Sequence, residues 1–180
     1  GGFGPDGYWN SSATGLWSPS QGVTNSGTIY VSGAKSWKNH GIGGFGTVTN
    51  AGTIYANSGY AMFVGASNHT QTATLINKGS IYVTDEGVGI ELGGVGTDGG
   101  TQASATNEGT IELGTKNGNF LIGVLIKGDE GKAIQGQSFT NKGTIDANGN
   151  TAISVEYADG TTIVNEGTIK GTISVADTAT

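Results

Sequence analysis

The sequence predicts an all-β chain: a right-handed, three-sided parallel β-helix of about six coils with loop insertions of variable length. Three observations predict it. A pentapeptide, Asn-x-Gly-Thr/Ser-Ile, recurs six times, starting at Asn25, Asn50, Asn77, Asn107, Asn141 and Asn165. The asparagines are spaced 25, 27, 30, 34 and 24 residues apart, a constant unit of about 24 residues carrying insertions. Apolar residues alternate around each copy with the two-residue period of strands.

The unit reads as three strands separated by turns. Two residues before the asparagines stand Val23, Val48, Leu75, Ala105, Phe139 and Ile163, the inward end of a first strand. The glycine two residues after each asparagine interrupts that strand, and a turn with positive φ is the expected reason. The second strand carries Ile29, Ile54, Ile81, Ile111, Ile145 and Ile169 inward. A third apolar stretch follows: Ile42 to Phe45, Ala61 to Val64, Val88 to Leu92, Phe120 to Ile126 and Ala152 to Val155.

A single coil cannot bury its inner face alone. Stacked coils place the six isoleucines in one inner column, each worth roughly 1.5–3 kcal/mol when buried. The six asparagines form a second inward column, expected as a ladder of amides bonded from coil to coil or to the turn backbone. The residue after each asparagine reads Ser26, Ala51, Lys78, Glu108, Lys142, Glu166, which sets Lys beside Glu on successive coils.

Residues 1–21 precede the repeat and hold Phe3, Tyr8, Trp9 and Trp17; they read as an N-terminal cap or lead-in segment, with 22–180 as the coils. Ile173 and Val175 begin another inward pattern, so the coils are expected to continue beyond the C-terminal end.

Composition excludes several functions. Glycine supplies 35 of 180 residues without a collagen period, and there is no cysteine. The net charge is −6 and all eight basic residues are lysine, which leaves no cationic footprint for nucleic acid. No apolar run reaches the roughly 18 residues of a membrane helix, so no membrane insertion of this segment is expected.

The coil unit resembles the passenger domains of Gram-negative autotransporters and related type V secreted adhesins and filamentous haemagglutinins. The likeness rests on Asn-x-Gly-Thr-Ile followed by a glycine-bounded apolar strand such as Asn150 to Val155, and it covers residues 22–175. It implies a bacterial surface or secreted location and a non-catalytic adhesive role. The implied partner is a host or bacterial surface protein, a glycan, or another copy of the chain. The alternatives are a polysaccharide-processing β-helix enzyme and a structural stalk.

Candidate binding residues follow from the outward rows. Tyr30, Tyr55 and Tyr82 fall on adjacent coils, either as packing over the sheet or as a platform for a ligand. Trp37 and His40 lie in an inserted segment, with His40 expected at the surface. The acidic residues Asp85, Glu86, Glu91, Asp98, Asp129, Glu130, Glu156 and Asp159 are scattered along the sequence, and the Asp85-Glu86 and Asp129-Glu130 pairs read as solvated loop charge, so no catalytic residue is assigned. Gly41 to Gly46 matches G-x-G-x-x-G but lacks the following helix of a dinucleotide site. Gly93 to Asp98 matches only the start of one calcium nonapeptide, so no metal or cofactor is expected. The threonine rows before the asparagines are interrupted by Ile76 and Val164, which argues against ice binding.

Overall fold

The computed structural model describes residues 14–18, 22–32, 39–66, 72–94, 103–115, 120–128 and 134–176. Every strand pair among them is parallel. The chain is a parallel β-helix.

The first side is a six-stranded sheet built from Val23–Asn25, Gly46–Asn50, Ala73–Asn77, Ala103–Asn107, Ser138–Asn141 and Thr162–Asn165. The asparagines stand in one register through all six. The second and third sides are joined. Thr53–Ala66, Ser80–Gly94 and Thr144–Glu156 each run through both as one bent strand, where separate short strands were expected. The bend is made by residues of positive φ, among them Gly59 (91°), Gly87 (146°) and the Asn148–Gly149 pair (46° and 84°). Thr14–Ser18, within the expected lead-in segment, pairs with His40–Gly44 and so lies on the third side, stacked one turn before the first coil.

The inner columns are filled as apolar stacking requires. Ile54, Ile81, Ile111 and Ile145 are fully buried, and Ile29 and Ile169 close the column at its ends with partial exposure. On the first side the buried Phe139 lies next to Ala105, a large residue beside a small one.

The asparagine column is continuous. Each Nδ2 donates to the next coil's Oδ1 at 2.8 Å, from Asn25 through Asn50, Asn77, Asn107 and Asn141 to Asn165. It also approaches its own coil's glycine carbonyl, as Asn77 does with Gly79 at 3.3 Å. The asparagine main-chain carbonyl accepts from two amides of the next coil; Asn50 O takes Lys78 N at 2.7 Å and Gly79 N at 3.0 Å.

The glycine after each asparagine corrects the sequence reading. None of Gly27, Gly52, Gly79, Gly109, Gly143 and Gly167 has positive φ. They are glycine because the coils approach there: a Cβ on Gly79 would lie 1.9 Å from the Gly52 carbonyl oxygen, and one on Gly109 would lie 2.0 Å from that of Gly79. At Gly27, the first of the series, the same Cβ meets nothing within 4 Å.

Candidate functional site

Two outward clusters carry chemistry. The first is on the second side, where the register sets Tyr30, Tyr55 and Tyr82 above one another. The rings stack with centroids 5.3 Å and 5.1 Å apart and planes 12° and 14° from parallel. Each ring spends a face on its neighbour, so edges and hydroxyls look outward. Tyr30, at 74% exposure, keeps the most surface open. Below the tyrosines the same row continues as Glu112, Asp146 and Lys170. Lys170 Nζ donates to Asp146 Oδ2 at 3.0 Å, and this bond, with one from the Asn148 amide, holds the Asp146 carboxyl below its ordinary range.

The second cluster lies on the outer face of the third side. One row there reads His40, Tyr60, Val88, Ile122; the next reads Gly43, Phe63, Glu91, Leu125, Ser154. His40 begins a strand and is not the surface loop residue expected: its ring packs 4.3 Å from Phe63 and 5.5 Å from Tyr60. Burial pushes its imidazole down to about 4, so it is neutral at pH 7. Val88, Ile122 and Leu125 are buried together beside Tyr60, a small apolar cluster separate from the core.

Glu91, in the sequence one of several scattered acids, sits among these groups. It is 9% exposed. Burial pushes its carboxyl up to about 7, against the lowering effects of the Tyr60 hydrogen bond and of Lys127, while Glu156 adds to the rise. Tyr60 donates its hydroxyl to Glu91 and is itself pushed up, first by burial and then by that carboxylate. Lys127 and Glu156 pair at 3.2 Å along the same face, and the Ser154 hydroxyl donates to Glu156 at 3.1 Å. Room for the Glu91 side chain comes from Gly93, where a Cβ would lie 3.0 Å from Glu91 Oε1. Two buried polar atoms here, His40 Nε2 and Glu91 Oε2, have no hydrogen-bond partner.

The structure therefore gathers Tyr30, Tyr55 and Tyr82 in one row and places His40 with Tyr60, Phe63 and Glu91 in another. Trp37, Asp129 and Glu130 lie outside the described residues. Tyr60, Phe63 and Glu91 were missed by sequence reasoning, although a signal existed. Laying Tyr60 to Val64 over Val88 to Leu92 puts Phe63 directly against Glu91 at an outward position. Among the described residues no group of three or more His, Asp or Glu side chains is arranged to hold a metal ion.

Residues 10–129 match the family model described as the BigA third pectate lyase-like domain. The chain belongs to this family. The match spans two-thirds of the chain and takes in the tyrosine row, His40, Tyr60, Phe63, Glu91 and Lys127. It makes the chain a pectate-lyase-like β-helix domain of a bacterial surface protein, a broader class than the autotransporter passenger expected from the repeat. No curated protein and no solved structure matches the chain.

Proposed function

We propose that this BigA-type domain is a non-catalytic adhesive segment of an extracellular bacterial surface protein, of the autotransporter-passenger kind. It presents its outward rows to a host or bacterial surface. The observation that supports this most is the tyrosine row: three aromatic side chains held in register on a rigid sheet, each with a hydroxyl at its outer edge. Tyrosine supplies contact area and a hydrogen bond at low entropic cost, which is why it anchors interfaces. Beads carrying the chain are expected to attach to cell layers. Tyr55→Ala, at the middle of the row, lowers attachment about tenfold or more without shifting the unfolding midpoint by more than a few degrees. Undiminished attachment of a Tyr30→Ala/Tyr55→Ala/Tyr82→Ala variant sinks the role given to the row. A glycan array separates sugar from protein as the target.

A second reading, polysaccharide processing, draws on Glu91. A buried carboxyl poised near neutrality with one unpartnered oxygen is a group suited to proton transfer. Release of reducing ends from acidic or neutral polysaccharides, abolished by Glu91→Gln, supports that reading. Equal inactivity of both proteins disposes of it.

A further inference from the structure

The outer face of the first side carries a pattern that neither reading uses. Its columns are set by strand register. One column reads Thr47, Thr74, Ser104, Ser138, Thr162. The next reads Thr49, Ile76, Thr106, Thr140, Val164. Both are uncharged, and all these side chains retain solvent exposure. Along the edge of the face, one residue past each asparagine, run Ala51, Lys78, Glu108, Lys142 and Glu166, with Lys78 and Glu108 3.9 Å apart.

These columns are self-complementary about one point. Consider a two-fold axis parallel to the strands, lying in a contact plane between the coils of Asn107 and Asn141. It sets a second rod antiparallel to the first and lays each column against itself in reverse order. Lys78 then meets Glu166 of the second copy, and Glu108 meets Lys142; each contact occurs twice. In the uncharged columns Ile76 meets Val164, the two apolar interruptions of a hydroxyl row. Thr106 meets Thr140, Ser104 meets Ser138, and Thr74 meets Thr162. Sliding one rod by a single coil sets Glu108 against Glu166 and Lys142 against Lys142, so the charges also penalise the neighbouring registers. Both rods share the same strand spacing of about 4.8 Å, so the match persists over all the overlapping coils.

We propose that this face pairs antiparallel with the same face of a second copy of the chain, about the two-fold between Glu108 and Lys142. The pairing deepens the adhesive reading by naming the chain itself as one partner. Overlap of four coils and five-residue strands covers only about 300 Å² per copy, well under a standard interface. A single contact is therefore weak and becomes effective where many copies are displayed on one surface.

Beads coated with the chain test this. They are expected to aggregate at 0.1 M salt and to disperse at 1 M. Glu108→Lys and Lys142→Glu each place two like-charge pairs in the interface and lower aggregation at least about tenfold. The double variant Glu108→Lys/Lys142→Glu restores the inter-rod pairs while creating like-charge neighbours within each rod, so it recovers aggregation at a slightly lower melting temperature. Failure of the double variant to recover, with the fold intact, overturns the pairing. Attachment of the same beads to cell layers is scored in parallel. Attachment without bead aggregation overturns this pairing alone; loss of both overturns the adhesive reading as well.

Discussion

A glycine of the repeated motif answers to the coil above it more than to its own backbone. Gly109→Ala forces a methyl against the Gly79 carbonyl oxygen, whereas Gly27→Ala adds one into open space. The first is expected to destabilise by about 3 kcal/mol and the second by less than about 1 kcal/mol, as read from urea unfolding. Titration of the third-side cluster is a second residue-scale matter. Glu91 is raised from 4.5 to about 7, so the folded chain holds a proton that the unfolded chain releases. Its contribution is full below pH 4.5 and is lost as pH rises through 7. His40 is lowered from 6.5 to about 4, so its contribution is full above pH 6.5 and is lost as pH falls through 4. Between pH 4.5 and 6.5 the two slopes oppose, and the wild-type midpoint should be nearly flat. Glu91→Gln uncovers a stability that climbs from pH 4 to 6.5. His40→Phe uncovers one that declines from pH 4.5 to 7. Each amounts to a change on the order of 3 kcal/mol across its window. Urea midpoints measured every half pH unit check both; a flat profile in either variant contradicts the assigned titrations.

At the scale of elements, the asparagine ladder ties each turn to the next. Removing an interior rung, Asn107→Ala, leaves Asn77 Nδ2 without its Oδ1 acceptor in a buried setting and also deletes the donor to Asn141. A loss of about 2–4 kcal/mol is expected. Asn165→Ala, at the last rung and exposed, should lose less than half of that. Equal losses at the two positions would show that the ladder does not act through burial. This element was legible in the sequence because every rung has the same local neighbours: Asn, then Gly, then Thr or Ser, then Ile. The bent strands joining the second and third sides were not legible. Their bends use Gly59 in one coil, Gly87 in the next and Asn148–Gly149 in another, at offsets from the repeat that differ from coil to coil. The Glu91 cluster escaped for a related reason. Tyr60 and Glu91 are 31 residues apart, and only the particular insertion lengths before each third strand bring their rows together.

As a whole, the molecule is a quasi-one-dimensional stack whose stability is shared between neighbouring coils. Its middle coils have a partner on both sides. At the C-terminal end Ile173 and Val175 stand 49% and 69% exposed, while their counterparts Ile153 and Val155 one coil above are buried. Amide exchange should therefore be slowest around Ile81, Ile111 and Ile145 and should quicken by orders of magnitude toward Ile169 and Ile173. Uniform protection along the rod would mean that the stack opens as a single unit.

The sequence alone determined the parallel β-helix and the identity of the inner asparagine and isoleucine columns. These depend on period-two alternation and on a short motif repeated in fixed order, both of which are local. It also determined the outward rows of tyrosine and of alternating Lys and Glu, because a row follows directly once the motif is aligned. Tertiary structure alone decided why the motif glycines must be glycine, how far His40 and Glu91 are buried, and which groups surround them. Those properties depend on the distance between coils and on what covers a face. Neither distance nor cover is written in a single coil; both arise only when residues from different coils are stacked against one another.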